Sequence, residues 1–553
     1  MSGAAAIAER KVDAAIELRG LVCPICLEDT LEEVTRESEG SEAILGETEL
    51  RCAACGERLP IVLGVPYLGR FMQADLLSVL EVTSYLGDFV LEPSGQVRGT
   101  KGNRPERLGS SYAKIQDMLE TAEDQEGNGV DFERFGFPKK PVWFPNRYHE
   151  SVQYRQVVGD LDFRGKRVLD IGAGTGFDSL RFHRAGAEVT ALEYSPLQAA
   201  IGQMNFSEFR WIGSSVTHMP FTDEHFDVVI ANCALHHVLH LEDGLREMLR
   251  VLKVGGHMLT IGDSFGPNHF TEDDEVAVFN NHQAVLRGVN EQVPRFERFV
   301  SPLTEKGDAL DIELMTAVVH GLQKNVGELQ RWRLDEALNT LGGYRGGLCM
   351  RVRKTAPTGR GRDTTDVSPP LVPVGGFVSA FGSREQALRY LARAMPDSVV
   401  DLPVIDRREP KLRLLLGWRR QEEKESFRVG VGNGYLFATP AFLDAHLPSF
   451  EVLVPNPKTP PPGGDLRFEM RFDGRVLASV DVRPGAWMTM EPESEALIDA
   501  NPGETGLLSF HLRDATGEPT ALPFQVRPAG DDQIGLLMRL QALFFGRRGQ
   551  PGS

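Results

Sequence analysis

Between Val168 and Gly176 the chain reads VLDIGAGTG: an apolar run, Asp170, then Gly172, Gly174 and Gly176 at alternate positions. Glycine in such a turn lets backbone approach a nucleotide-like ligand closely, because no Cβ stands in the way. A dinucleotide site asks for GxGxxG, with the pyrophosphate over the next helix N-terminus. Here the spacing is GxGxG, with the third glycine one residue early. The Asp170 carboxylate precedes the loop, where it would repel a pyrophosphate but suit a cationic amino-acid moiety. Glu193 closes the strand-like EVTALE, a place where a carboxylate can accept from both ribose hydroxyls. The three features agree with S-adenosylmethionine (SAM) better than with a nicotinamide dinucleotide.

Residues 165–263 resemble a class I SAM-dependent methyltransferase of the kind that includes quinone-biosynthesis enzymes. VLDIGAGTG is similar to that family's first motif and ALEYS to its second, which implies Glu193 on the ribose with Tyr194 beside it. HMPFTDEHFDVVIANCALHHV and LREMLRVLKVGGHMLTI are similar to the later motifs, with Gly255 and Gly256 in the turn. Where the family commonly carries an acid for the adenine amino group, this chain has Ser215 followed by Val216; a serine oxygen can still accept. Asn232 takes the position where amino-methylating enzymes place (D/N)PP(Y/F). It is followed by Cys-Ala-Leu, which argues against adenine-N6 or glutamine methylation and leaves Asn232 a cofactor contact.

Methyl transfer from a sulfonium is an in-line displacement, and proximity and orientation can supply much of the catalysis. A base is needed only where the nucleophile must lose a proton. His236 and His237 follow the fourth strand and are the candidate catalytic residues, with a purely structural hydrogen-bonding role as the competing reading. Tyr148, His149 and Tyr154, in FPNRYHESVQYRQVV just ahead of the first strand, are expected to cap the cofactor.

Cys23, Cys26, Cys52 and Cys55 form two CxxC knuckles separated by 25 residues (52 − 26 − 1). Two such turns make a closed tetrahedral site for structural zinc, leaving no open position for chemistry. LVCPICLEDTL and LRCAACGERLPIVLGVPYL resemble the zinc ribbon of the small activator protein that partners tRNA and translation-factor methyltransferases. A related ribbon precedes a bacterial 23S rRNA guanine methyltransferase, which makes RNA a rival substrate. Charge opposes that reading. Residues 1–70 hold seven Lys/Arg and thirteen Asp/Glu, 7 − 13 = -6, and the whole chain carries -18, whereas a surface that grips RNA is basic.

The elements that must position these groups divide the 553 residues into several parts. A zinc ribbon is expected over 1–70 and a helical cap over 71–150. Strands alternating with helices over 151–355 imply an α/β, Rossmann-like doubly wound sheet. A helical insertion is expected over 271–340, with RGGLCMRVRKT as the last strand. A Pro/Gly-rich linker and short helix fill 356–409, and alternating strands over 410–553 read as an all-β sandwich. The N-terminus lacks a signal-peptide core and no run of about 18 apolar residues is present, so the expected compartment is the cytoplasm, without membrane partners. The sequence therefore reads as a SAM-dependent methyltransferase acting on a small molecule or glycan intermediate. The alternatives are an RNA base methyltransferase and a non-catalytic SAM-fold scaffold that binds through its sandwich.

Overall fold

The computed structural model describes residues 16–36, 45–69, 89–91, 97–99, 104–124, 129–238, 240–266, 271, 274–275, 278, 291–316, 330–333, 346–358, 428–431, 434–438, 450–455, 466–491, 506–514, 517 and 523–528. The chain divides into two compact units. One comprises Met1–Ala74, Tyr85–Glu275 and Gln292–Gly382; the other comprises Asp75–Ser84, Val276–Glu291 and Ser383–Ser553.

The first unit begins with a small antiparallel sheet in the order β1 (Leu31–Thr35), β2 (Leu45–Cys52), β3 (Arg58–Val62), β4 (Val65–Pro66). A hairpin of β5 (Phe89–Leu91) and β6 (Val97–Gly99) and the helices α1 (Leu108–Asp124) and α2 (Phe144–Val158) lead to the main sheet. That sheet uses β7 (Arg167–Ile171), β8 (Glu188–Glu193), β9 (Arg210–Gly213), β10 (Phe226–Asn232), β11 (Leu252–Phe265), β12 (Leu310–Thr316), β13 (Gln330–Arg333) and β14 (Gly346–Lys354). Its order is β13-β12-β14-β11-β10-β7-β8-β9. Strands β7 to β11 pair in parallel, while β14 runs antiparallel between β11 and β12. The central strands are buried on both faces and so read as near-continuous apolar runs, as RVLDI and FDVVIAN do.

Crossover helices α3 (Phe177–Arg184), α4 (Pro196–Asn205) and α5 (Leu241–Val251) connect these strands, and α6 (Phe296–Thr304) packs against α5. In α5 the buried Leu241, Leu245, Met248 and Leu249 recur at helical spacing. Glu242 and Asp243 occupy its first turn and Arg250 its last, the arrangement the helix dipole favours. Helix α4 starts at a Ser195 N-cap that accepts from the Gln198 amide, with Pro196 at the first position. No helix among the described residues is long and apolar enough to cross a membrane.

The ribbon is not a separate bead. Its exit segment adds to the free edge of β9: Tyr67 bridges Gly213 in parallel, and the Leu68 amide donates to the Gly213 carbonyl at 2.6 Å. Its entry segment pairs at the other end of the following loop. Leu21 bridges Phe221, the Val22 amide donates to the Pro220 carbonyl, and the Thr222 amide donates to the Gly20 carbonyl. Leu21, Leu50, Leu59 and Leu68 lie in one core with Leu169, Ile212, Phe221 and Leu245.

The stretch read as helical over 271–340 is corrected in part. Leu310–Thr316 and Gln330–Arg333 are strands, paired antiparallel with each other. The physical reason is the alternation in LDIELMT, where Leu310, Ile312 and Leu314 share one face of a strand. Helix α6 also lies in that range. Among the described residues the main sheet consequently has eight strands, with β13 at one edge. The linker and short helix of 356–409 lie almost wholly outside the described residues, as does most of 71–103. Of the 71–150 segment, α1 and the start of α2 are helical as expected.

In the second unit, β15 (Arg428–Val431), β22 (Pro523–Pro528), β17 (Phe450–Leu453) and β20 (Trp487–Met490) form one sheet. A second holds β16 (Gly434–Ala438), β21 (Gly506–Asp514), β18 (Leu466–Phe472) and β19 (Arg475–Val482). Val452 and Met490 from the first share a core with Phe468, Met470, Leu508 and Leu512 from the second. This is the expected sandwich of antiparallel sheets.

Candidate functional site

The turn after β7 is built from three left-handed residues: Gly172 at φ 65°, Gly174 at 57° and Gly176 at 96°. Non-glycine residues adopt this region only at a cost. At Gly172 a Cβ would also lie 2.7 Å from the Ala234 side chain. The loop therefore runs close beneath the end of β10, with the Gly172 and Ala173 amides bonded to the Leu192 carbonyl and the Gly176 amide to the Ala173 carbonyl. It sits where the sheet order reverses between β7 and β10, the crevice in which ligands of open α/β sheets bind.

Three carboxylates surround the loop. Asp170 is buried behind it and accepts from the Ser179 hydroxyl at 2.5 Å. Burial, followed by the nearby Asp178 and Glu193 charges, pushes the Asp170 carboxyl up to about 8. Glu193 accepts from the Gly174 amide at 2.7 Å and from the Ser195 amide at 2.8 Å. Burial still pushes it up to about 7 against those amides. Asp178, in the first turn of α3, accepts from the Asn232 side-chain amide at 2.8 Å. The Asn232 Oδ1 is buried with no hydrogen-bond partner among the described residues. A crevice with an orphan acceptor and three carboxylates, floored by glycine backbone that carries no Cβ, fits a cationic, hydroxyl-bearing nucleoside such as SAM.

Comparison with known proteins agrees. Residues 169–260 match a family described as a methyltransferase domain. Residues 169–260 form a class I SAM-dependent methyltransferase domain. Among curated proteins, the demethylmenaquinone methyltransferase of Renibacterium salmoninarum is 38% identical over 123 residues, 21% of this chain and 52% of its own length. The ubiquinone/menaquinone biosynthesis C-methyltransferase of Azotobacter vinelandii is 36% identical over 107 residues, 18% of this chain and 42% of its own length. The chain thus spans about half the length of the curated relatives it matches. Among solved structures, the YcgJ protein of Bacillus subtilis covers 38% of this chain and 100% of its own, at 18% identity and a TM-score of 0.28.

On the other side of the methyltransferase domain's loop, Tyr194 lies half-buried at the end of β8, and its carbonyl receives the Tyr67 hydroxyl at 3.4 Å. Ser215 does not present a free oxygen. Its hydroxyl caps the short turn Val216–His218, accepting from the Thr217 amide at 3.2 Å and pairing with the Thr217 hydroxyl at 2.8 Å. The Val216 side chain packs against Val238 and the Gly244 position of α5, so only its backbone faces away from the core. The loop is held from below by Glu247, which accepts from the Met219 amide, and by Arg250, which donates to the Met219 and Phe221 carbonyls. Arg250 is itself paired with Glu247 and Asp223.

His236 and His237 lie in the short turn Leu235–His237 directly after β10, ring centroids 4.1 Å apart. His236 is buried and its Nδ1 donates to Asp263 Oδ1 at 2.9 Å. Sequence reasoning missed Asp263. The available signal was its place at the C-terminal end of the fifth strand, opposite the LHH turn. Sequence reasoning also missed Asp178, in the first turn of α3. Of the expected capping residues on α2, Tyr148 stacks on Phe144, Tyr154 packs under the Arg181 guanidinium, and His149 has a buried Nδ1 without a hydrogen-bond partner among the described residues.

The four N-terminal cysteines come together at the tip of the ribbon, with all four sulfurs within 4.8 Å of one another. Cys23 to Cys55 and Cys26 to Cys52 are each 3.6 Å. Thiolates at about 2.3 Å from a tetrahedral zinc stand ~3.8 Å apart, so the set fits such an ion. The Ile25 amide points at Cys23 Sγ. Burial opposes ionisation of Cys52, but the Thr30 hydroxyl and the Cys55 and Ala54 amides hold its thiol down to about 6.

Proposed function

We propose that this chain transfers a methyl group from SAM to a small acceptor that must lose a proton, of the hydroquinone type, and that Cys23, Cys26, Cys52 and Cys55 hold one structural zinc ion. The observation that carries the reading is the crevice over Gly172–Gly176, where Asp170, Asp178 and Glu193 converge and, among the described residues, no lysine or arginine bonds Asp170 or Glu193. A cationic cofactor supplies the missing charge. When bound, SAM contributes an electrophilic methyl group on its sulfonium.

The chain's own residues do the rest. Gly174 and its neighbours, lacking a Cβ, admit the amino-acid end close to the loop backbone. Glu193 accepts from the ribose hydroxyls with the lone pairs that the Gly174 and Ser195 amides leave. Asp178 and the orphan Asn232 oxygen take the ammonium. The backbone of 215–216 borders the adenine, and Tyr194 walls the ribose. His236 and His237 stand at the end of β10 as the groups able to receive a proton. The two curated relatives bear names that refer to quinone precursors, which supports the choice of acceptor class.

The test is methyl transfer from radiolabelled SAM to demethylmenaquinone reduced to its quinol, using the full chain. Labelled methyl in the quinone fraction, abolished by Gly174→Arg, is the expected result. Labelling of RNA with none of the quinol would overturn the acceptor class. Absence of SAM binding by calorimetry would overturn the whole reading.

A further inference from the structure

We propose that Asp263 is a positioning residue that makes His236 the proton acceptor for the methyl-accepting group. The inference rests on the reading just given, in which the acceptor lies at the end of β10, and deepens it.

Asp263 is completely buried on β11. Its Oδ1 receives three donors: the Leu235 amide at 2.9 Å, the His236 amide at 3.2 Å and His236 Nδ1 at 2.9 Å. Its Oδ2 is buried with no hydrogen-bond partner among the described residues. The two amide bonds are enough to cap the turn Leu235–His237. The ring bond is the additional one, and it decides the chemistry of the imidazole. A carboxylate only accepts, so Nδ1 carries the hydrogen and the basic lone pair belongs to Nε2.

Charge points the same way. Apart from His236, the titratable groups near this carboxylate include His237, in the same turn, and the thiols of Cys233, just after β10, and Cys349 on β14. Burial, with the Asp263 charge adding to it, pushes both thiols up, Cys349 to about 12, so they stay neutral. Among the described residues, no lysine or arginine bonds Asp263. An imidazolium at His236 is therefore the cation that a half-satisfied buried carboxylate lacks, and low local dielectric strengthens their attraction. Burying a carboxylate without that use is expensive.

The step balances as follows. The acceptor's O–H bond breaks and its proton goes to His236 Nε2, while the electron pair stays on the acceptor. A ring carbon or the oxygen then forms the bond to methyl as the S–CH3 bond breaks and its pair returns to sulfur. For a ring carbon, the displaced C–H proton leaves to water.

The test uses the full chain with 15N-labelled imidazoles, His236→Gln for assignment, and Asp263→Asn. In the wild type the His236 proton is expected on Nδ1, with titration above the ordinary histidine value of about 6.5. In Asp263→Asn the titration is expected to fall by about one unit or more, while calorimetric affinity for SAM stays within about twofold. With demethylmenaquinol, kcat is expected to fall ~10²-fold or more, the range of a lost proton transfer, with little change in KM for SAM and its acid limb moved to lower pH. A wild-type His236 that holds its proton on Nε2, or titrates at or below the ordinary value, overturns the proposal even if Asp263→Asn does not fold. So does an Asp263→Asn protein with an unchanged titration. A wild type that leaves the quinol unmethylated overturns the acceptor class alone, and the titration still decides the role of Asp263.

Discussion

Asp170→Asn is expected to make the unliganded protein more stable at alkaline pH, though it removes a conspicuous acid of the cofactor crevice. Asp170 is buried and accepts one hydrogen bond, from Ser179. Its carboxyl titrates near 8 in the folded protein against 3.8 for the free residue. A raised folded-state value means the proton stabilises the fold. That contribution is complete below the unfolded value and is lost as pH rises through the folded one. Between pH 6 and pH 8 the folded state holds roughly one more proton than the unfolded, and integrating across a folded value near 8 gives a loss of about 2 kcal/mol. Asparagine keeps the acceptor for Ser179 and carries no charge, so it lacks this slope. The assay is denaturant unfolding of wild type and variant at pH 6, 7 and 8, a window that keeps the cysteine site able to hold metal. The expected difference grows by ~2 kcal/mol in favour of the variant across that range, while its SAM affinity falls. Parallel pH profiles, or a variant less stable by a constant amount, would refute the assignment of a proton to Asp170.

Gly213→Ala would place a Cβ 2.3 Å from the Tyr67 ring, expelling a side chain that is only 4% exposed. Together with the strained Leu68 bond this should cost about 3 kcal/mol. A lower melting temperature and at least ~10-fold weaker SAM binding by calorimetry are expected, since a re-ordered 213–216 loop costs 1.4 kcal/mol per tenfold. Unchanged affinity in a destabilised protein would limit the ribbon to a stabilising role. Cys26→Ser should reduce zinc from one ion per chain to near none by elemental analysis and lower the melting temperature of the methyltransferase unit as well, because ribbon leucines share its core. Full metal content in the variant would exclude a four-cysteine site.

The parts that were legible in the sequence are those encoded locally. VLDIGAGTG announces its turn because three left-handed positions need glycine, and CPIC and CAAC announce a cysteine cluster because each knuckle is complete within four residues. LDIELMT was misread because its apolar alternation is short and sits among strong helix formers. Asp178 and Asp263 were illegible for another reason. Their roles depend on Asn232 and His236, partners 54 and 27 residues away, and the one local signal is that Asp263 stands at the end of an apolar strand. Ser215 shows the converse: its position matched an adenine contact, but its hydroxyl is drawn into capping the next turn, a competition that serine at an N-cap commonly wins.

The placement of the ribbon follows from the geometry of the sheet. β9 is an edge strand, and an edge carries unpaired amides and carbonyls that must be covered or blunted. The chain covers it with its own residues 67–68, and the loop that leaves β9 is gripped again at 220–222 by residues 20–22. Both grips are ends of one ribbon, separated by about 45 residues of chain that the cysteine quartet ties at its tip. A metal there would shorten the span of unfolded conformations open to that segment, as any cross-link of a long loop does. Glu247 and Arg250 on α5 hold the same loop from inside the domain. The 213–222 segment is thus fixed at its two ends by the ribbon and at its middle by α5. That threefold support gives the 215–216 backbone a defined edge, on which the proposed adenine contact relies.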